Sequence, residues 1–110
     1  MSDDCHTWTA EQKAELCQQR IGYQFQNIEL LKCALTHASG AANRLASNER
    51  MEFLGDSVLG FTICEWLFRQ HTEYLEGELT QIKSAVVSRR VCARISHGLQ
   101  LEECLILGKG

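Results

Sequence analysis

Proline is missing from all 110 residues, so the strongest breaker of a helix interior never occurs. Period-two alternation of apolar and polar residues is missing too, which removes the usual mark of a half-buried strand. There is no run of ~18 apolar residues, the length a membrane-spanning helix needs. The opening "MSDDCHTW" is acidic where a secretory signal would be basic and then apolar. A cytoplasmic protein without membrane contact is therefore expected. Basic excess is absent as well: the net charge of −3 weighs against a nucleic-acid partner unless local distribution overrules the total.

The six cysteines, Cys5, Cys17, Cys33, Cys64, Cys92 and Cys104, include no C-x-x-C pair and no Cys/His pair at zinc-finger spacing. Their even number would permit three disulfides. Most of them fall on apolar helix faces, however, and are read as reduced thiols in the core.

What is present favours one folded, all-α domain. Apolar residues make up 45% and charged residues 23%, close to globular averages, and the length suits a single core. Thr9 with Gln12 forms a capping-box pattern that predicts a helix over about 9–20, closing near Gly22. Asn27 caps a second, reaching about Ala38 through Ile28, Leu31 and Leu35, and "ASGAAN" follows as a loop. A third helix is expected from Asn48 to about Arg69, apolar on most sides and therefore buried. A fourth is expected from about Glu78 to His97 along Leu79, Ile82, Val86 and Ala93, ending at Gly98. "LQLEECLILGKG" permits one more short helical turn.

Within "NERMEFLGDSVLG", Glu49, Glu52 and Asp56 fall inside about a 60° arc of the third helix. Leu59, Ile63 and Leu67 continue the same side, which sets the acids at the edge of the core. Three clustered carboxylates raise one another's pKa unless a positive charge answers them. Arg50 points elsewhere on the helix, and an oxygen-only set suits a hard divalent cation such as Mg²⁺. By itself the E-x-x-E-x-x-x-D spacing also fits a solvated helix face. Lys83, Arg90 and Arg94 fall within about 40° on the fourth helix, either a phosphate-facing stripe or the polar face opposite the apolar one. His6, His37, His71 and His97 suggest no shared site, and His37 reads as a structural hydrogen-bonding residue.

"NERMEFLGDSVLG" resembles the signature of the ribonuclease III family, approximately N-E-R-L-E-F-L-G-D-S-V-L, with Met51 as the departure. "IGYQF" at 21–25, "ELLKCALTHAS" at 29–39, the Glu76-Gly77 pair and the closing "LQLEECLILGKG" match further motifs in family order. Together they cover about residues 16–110.

The resemblance implies an all-helical endonuclease domain, bacterial in type, that forms a homodimer. It would cut double-stranded RNA with Mg²⁺, or Mn²⁺ as a substitute, and need no organic cofactor. The expected products are 5′-phosphate and 3′-hydroxyl ends, in the processing of ribosomal and other precursor RNAs. By position, Glu52 would be a metal ligand and Asp56 the acid at the catalytic centre, also a ligand. Glu49 and Glu76 would lie near the scissile phosphates. Phe53 matches the aromatic that inserts into the partner subunit, although a helix-interior Phe also reads as core. Carboxylate-held metal suits phosphodiester hydrolysis, because it activates water and neutralises the leaving oxygen without a nucleophilic side chain.

The family also places a second acidic pair, D-x-x-E, on a helix after the "LGxG" turn, and this sequence stops at Gly110 inside that turn. Residues 1–110 therefore read as an incomplete catalytic domain, without the second pair or a double-stranded-RNA-binding domain, and as weak or inactive alone. The rival expectation is a noncatalytic RNA-binding or dimerisation module of the same fold, which would have no chemical need for all four acids. A plain helical interaction domain whose acids merely bind cations is a third.

Overall fold

Thr9 opens the first helix as its side chain predicts: its Oγ1 accepts from the Gln12 amide at 3.1 Å, and Gln12 Oε1 accepts from the Thr9 amide at 2.8 Å. In this computed structural model residues 7–108 are described; Cys5, His6 and the last two residues of "LGKG" lie outside them. Helix α1 spans Ala10–Ile21 and ends on Gly22, whose φ of 71° is the left-handed conformation that glycine adopts without steric cost. Helix α2, Ile28–Leu35, starts at Asn27, whose side chain accepts from the Leu30 amide.

α2 stops three residues before the expected Ala38, and a distant segment is the cause. The Ile106 amide donates to Leu35 O at 2.9 Å, and the His37 amide donates to Ile106 O at 3.0 Å, forming an isolated parallel bridge between Thr36 and Ile106. The "LTHAS" and "LILG" motifs, far apart in sequence, thus lie side by side. Gly108 completes the junction by donating its amide to Ser39 Oγ at 3.0 Å. The His37 ring accepts from the Ser39 amide at 3.1 Å, the structural role its position suggested.

After short 3-10 turns at Ala38–Gly40 and Arg44–Ala46, helix α3 runs Glu49–Gln70. The expected fourth helix is two: α4, Glu76–Val86, and α5, Arg89–Gly98. At Val87 the backbone leaves the helical region (φ −93°, ψ 78°). Ser88 then caps a new helix by accepting from the Val91 amide at 3.2 Å. A serine that offers an alternative partner to the backbone after two β-branched residues is a physical reason for such a break. A 3-10 turn at Leu101–Cys104 precedes the bridge segment.

The buried cluster joins Ala14 and Cys17 of α1, Leu31 and Leu35 of α2, and Cys104, with Phe25, Leu101 and Ile106 packed against it. Polar ties reinforce it: Lys13 Nζ donates to Leu105 O at 2.7 Å, and Arg20 Nη1 meets Gln100 O and Glu103 Oε1, each at 2.6 Å. α3 contributes only Leu67 among its buried residues. Its expected burial is therefore corrected: Phe53, Leu54, Val58, Phe61 and Phe68 are all more than half exposed. The apolar surface is real, but no described element covers it. A Cα radius of gyration of 16.5 Å, against about 13 Å for a close-packed chain of this length, describes the same openness.

The cysteines divide along the same line. All five described cysteines are free thiols; Cys17 and Cys104 are buried, whereas Cys64 and Cys92, expected in the core, are exposed.

Candidate functional site

Asn48 and Glu49 bring α3 into register beside the 3-10 turn that carries Arg44. The acids Glu49, Glu52 and Asp56 follow on its first two turns, and all three line one cleft of about 890 Å³. The opposite wall comes from the start of α5, with Ser88, Arg89 and Cys92. The single side of α3 deduced from helical spacing is thus real. Along that side exposure falls from 39% at Leu59, through partly buried Ile63, to 4% at Leu67. The acids occupy the open end of a face that enters the interior at its other end.

The positive charge that the acids require is partly supplied by the chain itself. Arg44 grips Glu49 in a two-pronged pair, Nε to Oε2 at 3.0 Å and Nη2 to Oε1 at 2.7 Å. This pair holds the Glu49 carboxyl below its ordinary value of 4.5, chiefly through the hydrogen bonds from Arg44. Sequence reasoning missed Arg44 because it lies on a separate turn, outside the helical spacing used to find partners.

Glu52 and Asp56 are one turn apart, exposed and unpaired with any cation among the described residues. Two free carboxylates projecting into one cleft are the donor chemistry of a hard divalent ion, so the residues fit Mg²⁺ in kind. They fall short in number, since no group of three His, Cys, Asp or Glu side chains among the described residues converges to hold an ion. The three-acid cluster expected from spacing is accordingly two free acids beside a third that Arg44 occupies.

The other expected residues separate. Glu76 and Lys83 line a different cleft, between α3 and α4, with Cys64, Leu67 and Phe68. Arg90 and Arg94 lie on α5, so the Lys83, Arg90 and Arg94 stripe is not one helix face; the break at Val87 abolishes it. Arg89, next to the residues that spacing selected, is the basic side chain lining the acid cleft. "S-R-R", a capping serine followed by arginines, was the sequence signal that could have found it. Phe53 borders the same cleft at 80% exposure, which excludes the core reading within this chain. The described histidines are dispersed: His37 caps Ser39, His71 stacks on Tyr74 at 4.7 Å, and His97 lies 3.6 Å from Glu102.

Comparison with known proteins agrees with this geometry. The family described as Ribonuclease-III-like matches residues 27–110. Ribonuclease 3 of Rhodopirellula baltica is 61% identical over 109 residues, covering 99% of this chain and 41% of that protein. Ribonuclease 3 of Coxiella burnetii is 46% identical over 92 residues, covering 84% of this chain and 38% of the relative. Among solved structures, the nuclease domain of ribonuclease III from Campylobacter jejuni superposes with a TM-score of 0.77 at 35% identity, over 86% of this chain and 64% of that one. That structure was described for flexibility in a region involved in dimer formation. With the signature acids on one helix face, the helical nuclease-domain fold around them and relatives that match nearly its whole length, this chain belongs to the ribonuclease III family, spanning about two fifths of the curated relatives it matches.

Proposed function

We propose that the protein of which this chain carries the acid helix is an endoribonuclease that hydrolyses phosphodiester bonds in double-stranded RNA. The observation that carries the reading is the pair of free carboxylates, Glu52 and Asp56, projecting side by side into an open cleft. They would hold Mg²⁺, with Mn²⁺ as a substitute, leaving water and RNA oxygens to complete its shell. When bound, the ion supplies the charge that makes water nucleophilic and steadies the leaving oxygen. The residues themselves hold and orient: Asp56 and Glu52 fix the position of charge, while Arg44 keeps Glu49 ionised at the cleft mouth.

Products would carry 5′-phosphate and 3′-hydroxyl ends, and the substrates would be ribosomal and other structured precursor RNAs in the cytoplasm. None of the described helices is long and apolar enough to cross a membrane. Phe53, on the exposed side of α3, would insert into a second copy of the chain, as dimer formation in the Campylobacter jejuni relative suggests, and Glu76, in the second cleft, would lie near the scissile phosphates. Two carboxylates give the metal few protein ligands, so residues 1–110 alone would cut RNA weakly.

Calorimetric Mn²⁺ and Mg²⁺ titration of the wild-type chain, Glu52→Gln and Asp56→Asn tests the metal reading. Each substitution is expected to weaken binding by roughly tenfold or more. Equal binding by all three would overturn it and favour the noncatalytic module.

A further inference from the structure

We propose that Arg89 receives the RNA phosphate at the acid cleft, an inference that rests on the function proposed above. Carboxylates repel the polyanion they are meant to cut, so a cleft containing Glu49, Glu52 and Asp56 needs a cation directed at the phosphate. Arg44 is committed to Glu49. Lys83 faces the other cleft, and Arg90 and Arg94 do not line this one. Arg89 does line it, from the wall opposite the acids.

Its placement is specific in two further respects. Arg89 is exposed and forms no ion pair with the acids, so guanidinium and carboxylates share the cleft with open volume between them. The first turn of α5 carries no acid, so beyond the Ser88 cap on the Val91 amide no carboxylate of the helix opposes the positive charge at the end that carries Arg89. A planar guanidinium can grip two oxygens of one phosphate, which neither an ammonium nor a diffuse basic surface does. The phosphate would then lie between Arg89 and the Glu52–Asp56 pair.

The test is fluorescence anisotropy of the 110-residue chain on a short blunt double-stranded RNA across a salt series. Ca²⁺, a larger oxygen-binding cation, replaces Mg²⁺ so that binding is read apart from cleavage. Arg89→Ala should weaken binding roughly tenfold and lower the salt slope by about one phosphate contact, whereas Arg90→Ala and Arg94→Ala change it far less. Arg89→Lys should keep the slope and lose most of the affinity, and as a charge-conserving change at an exposed site it controls for folding. Unchanged binding by Arg89→Ala, or equal losses at all three arginines, overturns the inference and leaves the proposed function standing. Failure of the wild-type chain to bind this RNA overturns the inference as well, whereas the proposed function stands or falls on the metal titration.

Discussion

Arg44 and Glu49 close a two-pronged ion pair, 2.7 and 3.0 Å long, five residues apart and across the junction between a 3-10 turn and α3. The pair gives Glu49 a different status from Glu52 and Asp56, although all three share one helix face. Glu49→Gln should therefore leave Mn²⁺ affinity nearly unchanged under conditions where Glu52→Gln reduces it by about tenfold. An equal loss at Glu49 would show that the ion displaces Arg44.

The same pair has a pH signature. The folded-state pKa of Glu49 is depressed, so its contribution is complete above the ordinary value of 4.5 and is lost as pH falls through the lower folded value. Both side chains are largely solvated, which keeps the effect on stability small. Carboxyl-carbon NMR titration should find Glu49 below 4.5 and returning toward it in Arg44→Ala. An unmoved titration in that variant would remove Arg44 as the cause.

Gly108 meets Ser39 so closely that a Cβ there would stand 1.9 Å from the Ser39 carbonyl oxygen. Both partners are backbone, so neither can yield cheaply. Gly108→Ala should cost about 1–3 kcal/mol, the range for forced overpacking, read as a lower melting temperature. Gly77→Ala, with nothing within 4 Å of its Cβ position, should instead be neutral or stabilising by about 0.5 kcal/mol. Equal melting temperatures for the two variants would contradict the junction.

Cys104 is fully buried against Cys17, and desolvation, the largest cause, pushes its thiol up to about 11. A raised folded-state value means that the stability it contributes is complete below its ordinary value of 9.0 and declines as pH rises toward 11. At pH 8 a thiol-reactive dye should label Cys64 and Cys92 rapidly, and Cys17 and Cys104 only at the rate of unfolding. Rapid labelling of Cys104 in the folded chain would refute its burial.

Phe53, Leu54, Phe61 and Phe68 leave α3 with a contiguous apolar flank, a feature that marks an interaction surface. Sedimentation of the chain should show concentration-dependent self-association, relieved by Phe61→Asp. A strictly monomeric wild-type profile at high concentration would count against dimerisation through this flank.

The local order of this protein is written locally. Thr9 with Gln12 and Asn27 set helix starts through side chains within three residues, Gly22 ends α1 through its left-handed backbone, and α3 projects its acids as a spacing of three and four requires. The family signature likewise needs only neighbouring residues to be recognised. Tertiary structure decided what those neighbours face. The apolar side of α3 has the composition of a buried surface, but burial depends on a covering element, and periodicity cannot say whether one is there. α2 stops at Leu35 because Ile106 takes its backbone partners, and no pattern near residue 35 encodes residue 106. Ser88 divides one continuous helical pattern, which dissolved the Lys83, Arg90 and Arg94 stripe and set Arg89 opposite the acids. Helical propensity and capping act within a turn, whereas charge complementarity across a cleft is a relation between elements that only their packing creates.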